Sequence, residues 1–101
     1  MDNMKQDTAQ ISIIIPTYNE SENIIQVLKS IGEHLPEDIA TEALVIDDNS
    51  PDGTGKIVED YITDAHNEIG YAIDVIHRKT KSGLSSAILD GIQHSTGETI
   101  V

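Results

Sequence analysis

The sequence predicts an α/β fold in which a parallel sheet lies between layers of helices. Three strand-to-helix units follow one another, each of about thirty residues, the size of a βαβ building block. The first strand is a nearly continuous run of β-branched residues, the pattern of a strand covered on both faces. Alternating strands and helices imply right-handed crossovers and a Rossmann-like three-layer sheet. We expect residues 1–10 to be a polar tail and residues 11–101 one domain.

The first unit begins with a strand over residues 11–15, which Pro16 is expected to end. Asn19 and Glu22, three residues apart, predict a capping box at the start of the following helix. Helical spacing predicts which face of that helix is buried. The predicted face comprises Ile24, Val27, Leu28, Ile31 and Leu35.

The second unit begins with a strand over residues 43–46, which runs into Asp47 and Asp48. Turn-forming residues follow at once. The next helix has its predicted buried stripe at Ile57, Val58, Tyr61, Ile62 and Ala65.

The third unit has a predicted strand over residues 71–77 and a helix after Gly83. That helix is expected to end at Gly97, and residues 98–101 are expected to begin a fourth strand. One side of the helix is predicted to carry Leu84, Ala87, Ile88 and Gly91.

Composition excludes several classes of function. Eighteen acidic residues against six basic ones give a net charge of −12, and such a surface repels the phosphates of nucleic acids and of anionic membranes. The absence of cysteine excludes disulfides, thiolate catalysis and sulfur-ligated metals. Residues 1–10 contain no apolar segment typical of signal peptides. The longest aliphatic run, residues 13–15, is far shorter than the ~20 residues of a membrane helix.

Ligands of parallel α/β sheets bind beyond the carboxyl ends of the strands. The segments to inspect are therefore residues 16–20, 47–54 and 78–86. In the first segment the ring of Tyr18 can stack on a planar base, and the carboxylate of Glu20 can accept hydrogen bonds from a ribose or a base. The alternative is that Tyr18 packs in the core and Glu20 only favours the helix N-terminus.

Asp47 and Asp48 end the second strand. Because side chains alternate along a strand, one carboxylate is expected to point into the ligand crevice and the other toward the opposite face. A carboxylate only accepts hydrogen bonds, so it suits the ring N–H or amino donors of uracil or guanine. Alternatively, both carboxylates cap turn amides ahead of the next helix.

Arg78, Lys79 and Lys81 hold half of the chain's six positive charges. Such a cluster in an acidic protein can meet a ligand phosphate, and the alternative is that it lies on the surface without a ligand. No dinucleotide-binding glycine pattern follows the first strand, and residues 53–56 lack the flanking residues of a P-loop. The four histidines show no metal-ligand spacing.

Together these motifs resemble the family 2 glycosyltransferases with the GT-A fold. The resemblance rests on Pro-Thr-Tyr-Asn-Glu at residues 16–20 and Val-Ile-Asp-Asp-Asn-Ser-Pro-Asp-Gly-Thr at residues 45–54. A third element, Arg-Lys-Thr-Lys-Ser-Gly-Leu-Ser-Ser-Ala at residues 78–87, is similar to the dolichol-phosphate mannose synthase branch. The resemblance implies that residues 11–101 are the N-terminal, nucleotide-sugar-binding half of such a domain, cut off in its fourth strand.

The resemblance also implies roles for individual residues. Pro16, Tyr18 and Glu20 would line the nucleotide pocket. Ile46, through its backbone, and Asp48 would complete recognition of the base and the ribose.

Three further residues are expected to assist. By the resemblance Asp47 would support the site from behind, and Arg78 and Lys81 are candidates for phosphate contacts. Asn49 stands where the family usually has glycine, and we expect little consequence because asparagine tolerates a left-handed backbone. No catalytic residue and no metal ligand is expected within the chain.

The family transfers a sugar from a nucleotide diphosphate donor and inverts the anomeric centre. The resemblance favours GDP-mannose or a UDP-sugar as donor and a polyprenyl or dolichyl phosphate at a membrane surface as acceptor, with no nucleic acid. It implies Mg²⁺ or Mn²⁺ bound by an Asp-X-Asp motif after the fourth strand, and this sequence contains no such motif. We therefore expect these 101 residues to bind no metal and to be inactive alone. A cytoplasmic location, peripheral to the membrane, is implied, and an open sheet edge favours pairing with a second copy.

Two other functions are alternatives to this interpretation. A non-catalytic nucleotide-binding or assembly module would use the same pocket without chemistry. A signalling receiver domain also has an acidic pair at a strand end, but there the pair ends the first strand. Here the first strand ends at Pro16 and the acidic pair follows the second strand, which disfavours the receiver.

Overall fold

The structure is a computed structural model, and it describes residues 10–36, 38–65, 68–79, 84–97 and 99–100. Within these residues strands and helices alternate along the chain, and the predicted α/β class is confirmed. The elements are β1 (Ile11–Thr17), α1 (Ile24–His34), β2 (Thr41–Asp47), α2 (Thr54–Asp64), β3 (Ala72–His77), α3 (Leu84–His94) and β4 (Thr99–Ile100).

The strands form one parallel sheet in the order β3-β2-β1-β4. β1 and β2 pair over their whole length, from Ile11 opposite Thr41 to Thr17 opposite Asp47. The chain runs outward from β1 through β2 to β3 and then returns past β1 to β4. The strand order therefore reverses beside β1, and it is at such a reversal that open α/β sheets bind ligands.

Two hydrophobic clusters hold the helices on opposite faces of the sheet. The cluster beneath α1 and α2 comprises Ile24, Leu28, Ala43, Val45 and Val58. The cluster beneath α3 comprises Leu44, Ile46 and Ala87. Successive residues of β2 thus alternate between the two clusters, as the period of a strand requires. Because both faces of β2 are covered, its central residues 43–46 are continuously apolar rather than alternating.

Pro16 does not end β1, contrary to the prediction. It lies inside the strand, opposite Ile46 of β2, and β1 continues to Thr17. Among the described residues, β4 pairs only with Ile11 and Ser12 of β1. Within the described ranges, the second half of β1 therefore has a neighbouring strand on one side only, and a proline without an N–H is tolerated at such an edge.

The predicted capping box of Asn19 and Glu22 is wrong. Asn19 adopts a left-handed backbone with φ of 58°, and α1 begins only at Ile24. The N–H groups of Asn23 and Ile24 donate to the carbonyl of Glu20 at 3.0 and 2.9 Å, which closes a turn before the helix. The side chain of Asn23, at the N-cap, makes no capping hydrogen bond.

Two residues predicted to be buried are exposed. Val27 of α1 is 42% exposed and Ile88 of α3 is 37% exposed. On α1 Ile25, two residues before Val27, packs against the core instead. On α3 the small residues Ala87 and Gly91 are buried against the sheet, and this close approach turns the larger side chain of Ile88 outward.

The remaining boundaries differ from the predicted ones by a few residues. β3 begins at Ala72, and α3 ends at His94 rather than at Gly97. Gly83, after which α3 was expected to start, lies outside the described residues, as do both ends of the predicted fourth strand. None of the helices in the described ranges is long and apolar enough to cross a bilayer.

Candidate functional site

The carboxyl ends of β1, β2 and β3 lie side by side and carry three predicted site residues at equivalent positions. The register aligns the last residues of the three strands. The residues that follow are Tyr18, Asp48 and Arg78. Backbone hydrogen bonds extend the alignment, because Asp48 N–H donates to Thr17 O at 3.1 Å and Arg78 N–H donates to Asp47 O at 2.8 Å. The sheet therefore fixes the relative backbone positions of all three.

Asp48 and Arg78 form a buried ion pair. Asp48 Oδ1 lies 2.5 Å from Arg78 Nε, and the two side chains are only 8% and 7% exposed. The contact lacks the direction of a hydrogen bond. Within the part of the chain that the structure describes, neither Asp48 Oδ1 nor Arg78 Nη2 has a hydrogen-bond partner. Buried polar atoms are seldom left so, and functional sites are among the places where they occur.

The other side of the Arg78 guanidinium is held by α3. Arg78 Nη1 donates to Ser86 Oγ at 3.1 Å and to Asp90 Oδ2 at 2.9 Å. Asp90 is more exposed than Asp48, with 40% of its side chain accessible. The guanidinium is thus fixed between a carboxylate at the end of β2 and one on α3, with Nη2 left over.

Asp47 has different partners from its neighbour. Its Oδ1 accepts hydrogen bonds from Ser50 Oγ at 2.6 Å and from Thr17 Oγ1 at 3.2 Å. Its Oδ2 accepts one from Ser50 N–H at 3.1 Å. The carboxylate is buried, and both oxygens serve to join the end of β1 to the loop after β2. Capping of a turn amide, the alternative stated for this pair, is therefore what Asp47 does.

The remaining predicted nucleotide-binding residues surround this edge. Tyr18 is 40% exposed, which argues against the alternative that its ring packs in the core. Glu20 is exposed in the same loop. Pro16 and Ile46 lie opposite each other in the sheet, and the carbonyl of Ile46 is 3.4 Å from Thr17 Oγ1.

The turn after β2 and the start of α2 lie close to the aligned strand ends. Asn49 has a φ of 57°, the left-handed backbone anticipated for it. A Cβ atom on Gly55 would lie 2.7 Å from His77 Cε1 and 3.1 Å from Asp47 Oδ2. Only glycine lets the first turn of α2 approach this edge so closely.

The predicted basic cluster separates in the structure. Arg78 is buried, Lys79 is exposed, and Lys81 lies outside the described residues. A cavity of about 420 Å³ opens beside Arg78 and is also lined by Ser86 and Asp90. Hollows of about 590 and 650 Å³ lie beside Tyr71 at the amino end of β3. Those larger hollows are at the wrong edge for a ligand of a parallel sheet.

The described residues do not fit a divalent metal site. No group of three histidine, aspartate or glutamate side chains among them could hold a metal ion. The adjacent carboxylates of Asp47 and Asp48 are engaged by hydroxyl and amide donors and by a guanidinium, respectively.

Sequence reasoning missed the residues that hold the site in place. Ser86 and Asp90 lie one turn apart on α3, so their side chains reach the same guanidinium. The available signal was a hydroxyl and a carboxylate four residues apart on the helix that follows the third predicted site segment. Asp52 and Thr54 also contact the loop after β1, and local turn patterns do not predict contacts over such sequence distances.

The chain is similar to proteins of known family. The model of the family "Glycosyl transferase family 2" matches residues 12–101. The chain is 35% identical over 92 residues to a dolichol-phosphate mannosyltransferase of Pyrococcus furiosus, a match that covers 91% of this chain and 24% of that protein.

Two solved structures are also similar. A mannosyltransferase from Pyrobaculum calidifontis, in complex with GDP-Man and Mn²⁺, superposes with a TM-score of 0.78 at 30% identity, over 92% of this chain and 26% of that one. TarS from S. aureus, in complex with UDP, gives a TM-score of 0.74 at 29% identity, over 91% of this chain and 26% of that one. The chain spans about a quarter of the length of these relatives.

Proposed function

Because the chain belongs to glycosyl transferase family 2, we propose that it forms the nucleotide-binding part of a mannosyltransferase. The whole protein would transfer mannose from GDP-mannose to a polyprenyl or dolichyl phosphate and invert the anomeric centre. The observation that carries this proposal is the alignment of Tyr18, Asp48 and Arg78 at the carboxyl ends of three neighbouring strands. An aromatic face, a carboxylate and a guanidinium together suit a nucleoside.

Each of these groups has a distinct task in the proposal. The ring of Tyr18 stacks on the base, an interaction of about 1–3 kcal/mol in comparable sites. Asp48 accepts hydrogen bonds from the ring N–H and amino group of guanine, since a carboxylate only accepts. Glu20 accepts from the ribose, and Pro16 and the backbone of Ile46 form the wall of the pocket.

The position of Arg78 favours a role at the nucleoside rather than at the diphosphate. Its guanidinium is buried between Asp48 and Asp90, and its Nη2 has no hydrogen-bond partner among the described residues. A diphosphate would compete with two carboxylates for this cation. We therefore assign Arg78 to the base and keep the phosphate contact as a proposal for Lys81 alone.

The reaction needs more than these residues supply. A divalent cation, when bound, stabilises the leaving diphosphate as a Lewis acid, and the described residues do not fit such an ion. The chain's net charge of −12 would itself repel a diphosphate. We therefore expect these 101 residues to bind the nucleoside end of the donor without metal and not to transfer sugar by themselves. Sugar transfer from GDP-mannose by the purified chain would contradict this part of the proposal.

The proposal also covers the location of the acceptor and the oligomeric state of the protein. A polyprenyl phosphate would be met at the cytoplasmic face of a membrane. β3 and β4 are the edge strands of the described sheet, and exposed edges pair readily with another chain. We propose that the protein forms a weak homo-oligomer through such an edge. Light scattering that finds a monomer at high protein concentration would contradict this oligomer.

Calorimetric titration of the purified chain with GDP, GDP-mannose and UDP, each with and without Mn²⁺, tests the pocket. We expect metal-independent binding of GDP that is tighter than that of UDP. Tyr18→Ala should weaken binding by about tenfold or more, whereas Tyr18→Phe, which keeps the ring, should not. Equal loss in both variants would contradict stacking, and no binding of any nucleotide would contradict the pocket.

A further inference from the structure

Two loops at the ligand edge are joined by a row of hydrogen bonds. The first loop, residues 18–23, follows β1, and the second loop, residues 48–53, follows β2. Three successive N–H groups of the first loop donate to side chains of the second loop and of the first residue of α2. The pairs are Asn19 N–H to Ser50 Oγ at 3.0 Å, Glu20 N–H to Thr54 Oγ1 at 3.0 Å and Ser21 N–H to Asp52 Oδ2 at 3.1 Å.

The acceptor oxygens are themselves fixed by carboxylates. Ser50 Oγ donates its proton to Asp47 Oδ1 at 2.6 Å, and Thr54 Oγ1 donates to Asp52 Oδ1 at 2.5 Å. Each hydroxyl therefore donates its hydrogen to a carboxylate and accepts a hydrogen bond from an amide of the first loop. Hydrogen bonds to ionised acceptors are the stronger kind. The Thr54 hydroxyl in particular lowers the pKa of the Asp52 carboxyl below its ordinary value.

This row sets the path of the backbone beside Tyr18. Asn19, inside the row, has a φ of 58°, the left-handed backbone that asparagine adopts more readily than most residues with a side chain. Thr54 is completely buried, and its hydroxyl is the acceptor of the hydrogen bond from Glu20 N–H. The loop that carries Tyr18 and Glu20 is thus attached to the loop that carries Asp48.

We propose that Thr54, with Ser50 and Asp52, positions the first loop so that Tyr18 and Glu20 face a bound nucleoside. This inference rests on the proposed function and adds residues that touch no ligand. Rigid attachment of the two loops means that the pocket exists before the nucleotide arrives. Binding then costs little ordering of the loop, which is how preorganisation raises affinity.

The same residues also serve α2, so the two effects need to be separated. Asp52 Oδ1 accepts a hydrogen bond from Thr54 N–H at 3.1 Å and so caps the start of the helix. That contact uses the backbone of Thr54 and does not need its hydroxyl. Thr54→Val removes only the hydroxyl and keeps the shape of the side chain, and Thr54→Ser keeps the hydroxyl.

GDP is the probe for the test, titrated into the unsubstituted protein and each variant. Thr54→Val should weaken GDP binding by about tenfold, whereas Thr54→Ser should stay within about threefold of the unsubstituted protein. Amide hydrogen exchange measured without nucleotide should be at least about tenfold faster at Glu20 in Thr54→Val and nearly unchanged in Thr54→Ser. Thr41→Val is the matched control, because Thr41 is also buried but lies at the opposite end of β2, and it should not affect GDP affinity.

The outcomes distinguish this inference from the proposed function. Unchanged exchange at Glu20 in Thr54→Val, or GDP affinity equal to that of the unsubstituted protein, would overturn the positioning role. Failure of the unsubstituted protein to bind any nucleotide would overturn both the proposed function and the proposal that the first loop is positioned for a nucleoside. Should Thr54→Val not fold, Ser50→Ala in the surface loop removes the acceptor of Asn19 N–H and is expected to weaken GDP binding in the same direction.

Discussion

Asp48 Oδ1 and Arg78 Nε lie 2.5 Å apart at the edge of the sheet where ligands of this fold class bind, and both side chains are almost completely buried. A buried pair of this kind is weak evidence for stability, because taking two charges out of water is costly. A second carboxylate, that of Asp90, also contacts the guanidinium of Arg78, and Asp90 is more exposed than Asp48. The arrangement is better suited to fixing a donor and an acceptor in place than to stabilising the fold.

Breaking this pair from the arginine side should be severe. Arg78→Met would leave Asp48 buried without a counter-charge, at a cost of about 3–5 kcal/mol in the free energy of unfolding. Asp90→Asn removes a partly exposed charge, and it should cost at most about 1 kcal/mol. Urea denaturation of both variants checks the comparison. Equal costs for the two would mean that Asp48 does not depend on Arg78.

The sequence predicted the positions of the site residues better than their contacts. β-branched runs and turn residues locate the strands and their carboxyl ends, and the topology of a parallel sheet then brings Tyr18, Asp48 and Arg78 together. Spacing alone could not show that the guanidinium of Arg78 turns inward, because its partner Asp90 is twelve residues away on a helix. That pairing depends on how α3 packs on the sheet.

The predictions made from short local patterns were wrong where contacts with residues distant in sequence determine the structure. Asn19 and Glu22 have the spacing of a capping box, but the backbone of Asn19 is left-handed and its N–H is bound by Ser50 from another loop. Pro16 is a strand breaker in isolation, yet it lies inside β1 opposite Ile46, on a stretch of β1 that pairs with β2 alone among the described residues. Both corrections follow from neighbours that are distant in sequence.

Gly91 is the point at which α3 comes closest to β1. A Cβ atom there would lie 2.5 Å from Ile14 Cγ2, nearer than side-chain carbons approach one another. We expect Gly91→Ala to destabilise the protein by about 1–2 kcal/mol, because overpacking outweighs the better helix propensity of alanine. Thermal or urea denaturation measures the change.

Two variants control for the effect of Gly91→Ala. Gly70→Ala introduces the same methyl group where, its chain neighbours aside, no atom of the described residues lies within 4 Å, so its effect should be within about 0.5 kcal/mol of zero. Combining Gly91→Ala with Ile14→Ala should cost less than the sum of the two single changes, since the second makes room for the first. Strict additivity would show that the contact between the helix and β1 is not the cause.

Tyr71 anchors the amino end of β3 to α1. Its hydroxyl donates to the carbonyl of Leu28 at 2.7 Å. Burial, with a smaller contribution from Tyr61, raises the pKa of Tyr71 to about 12. The raised value means that this contribution to stability is complete below the ordinary tyrosine pKa of about 10 and is lost as the pH rises toward 12.

Absorbance of tyrosinate should therefore show Tyr71 ionising at higher pH than an ordinary tyrosine. Tyr71→Phe should remove that high-pH step and cost about 1 kcal/mol at neutral pH through the lost hydrogen bond. The free energy of unfolding of Tyr71→Phe should also fall less at alkaline pH than that of the unsubstituted protein. If the high-pH step survives in Tyr71→Phe, the step belongs to another tyrosine.

Glu42 joins the segment before β4 to the amino ends of β1 and β2. Its Oε2 accepts hydrogen bonds from Ser12 Oγ at 2.5 Å and from Thr96 N–H at 2.6 Å, and Ser12 Oγ accepts one from Gly97 N–H at 2.7 Å. Burial by itself would raise the pKa of Glu42, but the hydrogen bonds from Ser12, Thr96 and Gly97 together outweigh it and lower the pKa.

A lowered pKa gives a contribution to stability that is present above the ordinary glutamate value of about 4.3 and is lost as the pH falls through the folded-state pKa. Glu42→Gln keeps the shape of the side chain but cannot ionise, so its melting temperature should fall less steeply than that of the unsubstituted protein between about pH 5 and pH 3. Glu33→Gln, on the exposed side of α1, should leave that slope nearly unchanged. Parallel melting curves for the unsubstituted protein and Glu42→Gln over this range would show that the carboxylate gains nothing from its three neighbours.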